Sequence, residues 1–441
     1  MSFKLVQGLL DFVGDSPTPF HAAYSMAKQL EAAGFQLLNE YDEWLAQPAG
    51  RYYIIRGGSS IVAFVVGSNP IEETGVRLVG AHTDSPCLKV KPTPELVKKG
   101  YAQLGVEVYG GALLNPWFDR DLSIAGLVTY LTRSGELCST RLNLCKPVAC
   151  IPSLAIHLDR EANQNRSVNP QKDMNAILYQ GEQPKSLRTI LLESLDEPEV
   201  EEILDFNLSF YDTQRPAVVG LKEEFVASAR LDNLLSCYLG MQAIIAAGEE
   251  HTSVLICNDH EEVGSNSDIG AQGPLLQELL ERLAPSSAQR QRALRRSVMF
   301  SVDNAHGVHP NYVQKHDEQH GPQLNKGPVI KFDANQGYAT NSPTASLVRW
   351  LARGGSVEST HSDAGTDIPL QTYVTRADMR CGSTIGPLTA AGIGLTTVDL
   401  GVPTFAMHSI RELAGTTDLA YMYRLLSRFY RAQALPSLVG A

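Results

Sequence analysis

The chain has 441 residues, 43% hydrophobic and 19% charged, enough for two to three domains or one large α/β domain with an insertion. A formal net charge of −11 argues against a nucleic-acid footprint, and no run reaches the roughly 18 uninterrupted apolar residues of a membrane span. Seven scattered cysteines without a close CxxC pair fit a reducing compartment, so a cytoplasmic location is expected.

In chain order, the N-terminal stretch "MSFKLVQGLLDFVGDSPTPFHAAYSMAKQLEAAGF" has too short an apolar run for a signal peptide and carries acids early. It reads as helices, one opened by Thr18 with Pro19 at its first position and closed by Gly34. "RYYIIRGGSSIVAFVVG" reads as two strands around a Gly-Gly turn. "VRLVGAHTD" is the first of four apolar runs that belong together. "SVLICNDHEE", "SVMFSVDNAH" and "LTTVDLGVPTFAMHS" follow far downstream. Each is continuously apolar rather than alternating, the pattern of a buried parallel strand, and each then delivers a His, Asp or Glu. Between the first run and the second, residues 91–221 differ in character: "GYAQLGVEVYGG" alternates as antiparallel strands do, "RLNLCKPVACIPSLAIHL" follows, and "DREANQNRSVNPQKDMN" is polar, either a loop or a subunit contact. This stretch is expected to be an inserted second domain, with 1–90 and 222–441 forming the first.

Ligands in open α/β sheets collect outside the carboxyl ends of the strands, so side chains hundreds of residues apart can converge there. The strand-end residues are His82, Asp84, Glu261, Glu262, Asp303 and, a few residues past its strand, His408. A pair of divalent metals about 3.5–4 Å apart needs a bridging carboxylate plus His and carboxylate ligands for each ion. His82 and Asp303 can serve one metal and Glu262 and His408 the other, with Asp232 of "ASARLDNLLSCYLG" as the bridge, held at the start of a helix. Neighbouring side chains on an extended segment point in opposite directions, which leaves Glu261 free to act as general base on water. Asp84, two residues after His82, suits the task of receiving the second ring N–H of that histidine or fixing a neighbouring ligand. His260 is read as structural, His306 and His309 as fixing their loop or a subunit contact, and Cys381 as packing. "HEEVG" is not the HExxH zincin helix, because no histidine follows at the required spacing.

"GAHTDSPCLKVKP", "ARLDN", "DHEEVGS", "DNAHGVHPNY" and "MHSIRE", in this order, resemble the aspartyl aminopeptidase family of dinuclear-zinc exopeptidases over essentially the whole chain. The resemblance implies an α/β fold: a zinc-exopeptidase-like three-layer core with a central mixed sheet, interrupted by a smaller, mostly β dimerisation domain. It implies that His82, Asp232 and Asp303 hold one zinc, that Asp232, Glu262 and His408 hold the other, and that Glu261 is the catalytic acid/base. Mn²⁺ or Co²⁺ would suit the same ligands. It further implies a tetrahedral homododecamer in which His157, in "SLAIHLDR", completes a neighbouring subunit's site, and removal of unblocked N-terminal Asp, then Glu, from peptides. Lys331 in "GPVIKFDANQGYATN" resembles the lysine that meets the acidic side chain, and "DMRCGSTIGP", residues 378–387, the wall near the substrate amine. A dinuclear deacylase or carboxypeptidase on the same ligand set is the alternative.

Overall fold

The four continuously apolar runs do lie side by side. Arg77–His82 is flanked by Ser253–Asn258 and Val298–Val302, and Thr396–Gly401 lies beyond the latter, all four parallel. They form the centre of a nine-stranded mixed sheet whose edges carry the hairpin Arg51–Arg56 and Ser60–Val65 on one side and Val329–Phe332 with Gln371–Val374 on the other. The computed structural model describes residues 2–181, 185–195, 199–355, 367–382 and 384–438.

Side chains alternate across these strands, and the alternation divides the core in two. Val79, Leu255, Phe300 and Val398 face a cluster built with the helices Ser2–Gly14, Pro19–Ala32, Leu231–Ile245, Ser342–Ala352 and Thr416–Arg431. Leu78, Val254, Ile256 and Met299 face a second cluster under Leu275–Leu283 and Ile385–Ile393. The sheet is thus the middle of three layers, as expected, and its strands are apolar throughout because both faces are covered.

A six-stranded, wholly antiparallel sheet with its own apolar cluster occupies most of the stretch read as an insertion. Its first strand begins at Cys87 and its last ends at Asp212, so the change of architecture falls a few residues before residue 91. "SLAIHL" forms no strand there: the chain leaves Leu137–Asn143 and becomes an exposed turn around His157. Among the described residues, no helix is long and apolar enough to cross a membrane.

A third sheet was not foreseen. Ala217–Val219, Phe225–Ser228, Glu412–Gly415, Pro403–Phe405 and Ala305–His306 pair in that order. Strands of two to four residues leave no readable periodicity, yet this sheet ties together the backbone next to Asp232, Asp303 and His408.

Candidate metal centre

His82 closes its strand almost wholly buried, and its ring is held from behind and presented in front. Nδ1 lies 3.1 Å from the Asp84 carbonyl oxygen and 3.3 Å from Asp84 Oδ1. Nε2 faces Asp232 Oδ1 and Asp303 Oδ1, each at 3.5 Å. On the other side, His408 Nδ1 lies 3.3 Å from the Gly111 carbonyl, and its Nε2 faces Asp232 Oδ2 at 3.6 Å and Glu262 Oε2 at 3.4 Å. The two oxygens of Asp232 therefore point at different histidines. With each Nδ1 proton on its backbone partner, both Nε2 atoms offer a lone pair to the space between the carboxylates.

These front-side separations are too long for good hydrogen bonds. They match another rule: tetrahedral ligands about 2.1 Å from an ion lie about 3.4 Å from one another. His82, Asp232 and Asp303 form one group whose ligand atoms lie within 4.8 Å of one another, and Asp232, Glu262 and His408 form a second. His82, Glu261 and Glu262 meet the same criterion. The buried atoms Asp232 Oδ1 and Glu262 Oε1 have no hydrogen-bond partner among the described residues, which is costly for a carboxylate unless a cation meets it. Electrostatics agree. Burial, then the charge of Asp232, pushes the Glu262 carboxyl up to about 11, and burial pushes Glu261 up to about 7, with His82 opposing and Asp303 and Asp232 adding. Burial also resists ionisation of Asp232, but His408 and His82 hold its carboxyl far below the usual range. Acids packed in this way hold either protons or cations, so the residues present fit a metal centre.

The glutamates differ from the extended pair expected from the sequence. His260 takes a left-handed backbone (φ 68°), Gly264 another (φ 97°), and Glu261–Val263 between them is a turn of 3₁₀ helix. Two consecutive N–H groups at the start of that turn need acceptors, and Asp84 supplies both: Oδ1 accepts from Glu261 and Oδ2 from Glu262, each at 3.1 Å. Asp84 Oδ2 also accepts from the Tyr109 hydroxyl at 2.6 Å. Asp84 thus meets the His82 ring through its carbonyl, with its carboxylate alongside, and both glutamates through its carboxylate. His260 Nδ1 pairs with Ser267 Oγ at 2.8 Å, outside the ligand groups.

Three features of this centre went unread in the sequence. Tyr109 ends the strand Tyr101–Tyr109 of the antiparallel sheet, and the Gly110–Gly111 pair follows it. A Cβ on Gly110, whose φ is +68°, would come within 3.1 Å of Glu262 Cβ, and one on Gly111 within 3.2 Å of His408 Nδ1. Glycine lets this backbone close over the centre. The third is Glu412, four residues beyond His408 in "MHSIRE", whose Oε1 accepts the His408 N–H at 2.8 Å and Oε2 the Asp232 N–H at 3.0 Å.

The remaining expected residues lie at different distances from this centre. Lys331 is 1% exposed, behind Asp303: its Nζ donates to the Asn304 carbonyl at 2.9 Å and lies 3.4 Å from Asp303 Oδ2. His157 is exposed on its turn, in no contact with the centre of its own chain, with Leu154, Ile156 and Leu158 exposed beside it. His306 meets the Tyr373 ring edge-on, and His309 packs on Tyr312 and Phe405. Cys381 packs at the edge of the small cluster containing Tyr338 and Tyr373. Within 378–387, Ser383 lies outside the described residues and Ile385 begins a helix.

A family model described as aminopeptidase I zinc metalloprotease (M18) matches residues 12–430. The chain belongs to that family. "Probable M18 family aminopeptidase 2" of Ectopseudomonas mendocina is 54% identical over 441 residues, covering 99% of this chain and all of the relative. Among solved structures, the chain resembles one in the "Ape4 and Nbr1 complex" with a TM-score of 0.90 at 36% identity, covering 98% of this chain and 86% of that one. It resembles mApe1 of Chaetomium thermophilum at 0.83 and 28%, covering 98% of each chain, and the S. cerevisiae "mApe1 dodecamer" at 0.80 and 27%, covering 96% of each. As an M18 protein it is a hydrolase, a zinc metallo-aminopeptidase, and the three-layer fold with its second sheet is the M18 fold.

Proposed function

We propose that this M18 aminopeptidase works with two zinc ions and removes unblocked acidic residues, Asp before Glu, from the N-terminus of peptides. The observation that carries the two-metal reading is the split of Asp232, one oxygen toward His82 and Asp303 and the other toward His408 and Glu262. His82, Asp232 and Asp303 would hold one ion, and Asp232, Glu262 and His408 the other. Bound zinc supplies Lewis acidity, polarising the scissile carbonyl and making water a nucleophile near neutral pH. Glu261, anchored through its N–H on Asp84 and outside both three-residue groups, takes the proton of the attacking water and returns it to the leaving amine. Asp84 keeps Glu261 and Glu262 in register with His82 throughout.

Lys331 is the cation we assign to the acidic side chain of the substrate. Two of its three ammonium hydrogens are taken by Asp303 and Asn304, and its Nζ lies 5.2 Å from the Tyr338 ring centroid. The remaining donor can meet a carboxylate entering beside Asp303. Such a charge-assisted bond contributes roughly 1.5–3 kcal/mol, about 10- to 150-fold in selectivity. The exposed apolar turn around His157 supports a contact between copies, with His157 serving a neighbouring subunit's oxyanion and the antiparallel sheet as the dimerisation element. We extend the dodecameric state of the S. cerevisiae relative to this chain on the same ground, as the tetrahedral assembly. Unpaired thiols at all seven cysteines support a cytoplasmic location.

The test is hydrolysis by zinc-loaded protein of matched substrates bearing free N-terminal Asp, Glu, Ala or Lys, with N-acetyl-Asp as control. Turnover confined to free Asp and Glu is expected. Broad turnover would discard Lys331 as the selectivity cation, and cleavage of N-acetyl-Asp would favour the deacylase reading over an aminopeptidase.

A further inference from the structure

Each half of the centre has a buried carboxylate behind it, and only one of these has been given a task. Asp84 fixes His82, Glu261 and Glu262. Glu412 stands in the corresponding place behind the other half. It is 2% exposed, begins the strand Glu412–Gly415, and pairs in register with Ser228, four residues before Asp232. Its two oxygens accept N–H groups from residues 180 and 4 positions away in sequence, Asp232 at 3.0 Å and His408 at 2.8 Å. Neither acceptor oxygen meets a side chain in these bonds; the carboxylate grips backbone.

Both backbone positions depart from regular structure. His408 sits at φ 68°, the left-handed region that a non-glycine residue enters only at a cost. Asp232 has φ −83° and ψ 104°, non-helical values inside the first turn of the helix Leu231–Ile245. At neither residue does regular secondary structure dictate where the side chain points. A carboxylate is acceptor-only and can take both N–H groups at once, whereas an amide of the same shape offers one acceptor and turns a donor against the second N–H.

We infer that Glu412 is a positioning residue of the metal centre, locking the bridging Asp232 and His408 together through their backbone amides so that their ligand atoms keep the separation an ion requires. This rests on the two-metal reading above. Outer partners of metal ligands characteristically control affinity by 10–100-fold, and a clamp on two ligands belongs in that range.

The experiment compares full-length wild type with Glu412→Gln and Glu412→Ala. Metal-free protein is titrated with Zn²⁺ against a chromophoric chelator, and the Co²⁺-loaded forms are compared by visible absorption. In Glu412→Gln, affinity for one of the two ions should fall about 10–100-fold and the Co²⁺ bands should shift, with the secondary-structure spectrum of the metal-free protein unchanged. Unchanged affinity for both ions with an unchanged Co²⁺ spectrum would overturn the inference. Hydrogen exchange on metal-free wild type gives an arm that needs no variant: peptides carrying the Asp232 and His408 amides should exchange slowly, and exchange at the rate of an open loop would overturn it as well. Wild type that takes up no zinc pair would instead sink the two-metal reading, so the two failures are distinguishable.

Discussion

Replacing Glu261 by glutamine separates the roles of the two adjacent glutamates most directly. The substitution keeps the shape of the side chain, and the backbone does not depend on the carboxylate, because Asp84 receives the Glu261 N–H at 3.1 Å whichever side chain follows. Glu261 Oε2 stands 3.9 Å from His82 Nε2, farther than either Asp232 or Asp303, while Glu262 Oε2 approaches His408 Nε2 to 3.4 Å. Both three-residue groups that share Asp232 are complete without Glu261. Zinc content should therefore be unchanged, while kcat loses the contribution of a positioned base, about 10² to 10⁴-fold or roughly 2.7–5.4 kcal/mol of transition-state stabilisation. The assay is elemental zinc analysis and saturating-substrate turnover of an Asp-terminated peptide on the same preparation. Turnover within tenfold of wild type would refute the base. Zinc lost together with activity would refute the ligand assignment, showing that the third group, His82, Glu261 and Glu262, holds an ion.

The other predictions test the neighbourhood of the centre. His157→Phe should lower turnover about 10² to 10³-fold with zinc content intact, the usual loss for an oxyanion donor; an unaffected rate removes His157, and activity regained on mixing it with Glu261→Gln subunits places it in trans. Lys331→Met should reduce kcat/KM for Asp relative to Ala about 10- to 150-fold, and an unchanged ratio ends its role in selectivity. Zinc analysis of that variant separates selectivity from the support Lys331 gives Asp303. His21, bonded to Thr18 Oγ1 at 2.8 Å, has its pKa lowered to about 4 by burial and by Arg141 and Arg230. A histidine neutral in the fold but titrating near 6.5 when unfolded leaves stability intact above about pH 6.5; stability falls as the pH drops toward 4, by up to about 3 kcal/mol. His21→Gln should lose less stability than wild type between pH 7 and 4.5 in urea unfolding, and identical losses would refute this.

The legible part of the molecule was the part whose side chains follow a rule of strand ends. His82, Asp303 and the Glu261–Glu262 pair each follow a continuously apolar run, and such runs lie parallel at the middle of a covered sheet. Asp232 was legible as the acid opening a helix. The turn carrying the glutamates was misread as extended because its geometry depends on the left-handed backbone of His260, which the local sequence does not announce. The apolar residues around His157 do not announce the exposed turn that they form, because they face outward rather than into a core.

From the sequence alone come the layered α/β architecture, an antiparallel stretch between its first and second buried strands, and the residue types that could hold metal. Hydrophobic periodicity and strand-end chemistry are local, so a single chain displays them. Tertiary structure decided how those residues are aimed. The five-stranded sheet of short strands, the Asp84 carboxylate on two backbone amides, Glu412 reaching Asp232, Tyr109 on Asp84, and the Gly110–Gly111 backbone against Glu262 and His408 are contacts between distant segments. The strands of that sheet are too short for a period, and the Asp84 and Glu412 carboxylates bond backbone amides, which every residue offers alike. Only the folded chain shows which carboxylate meets which amide.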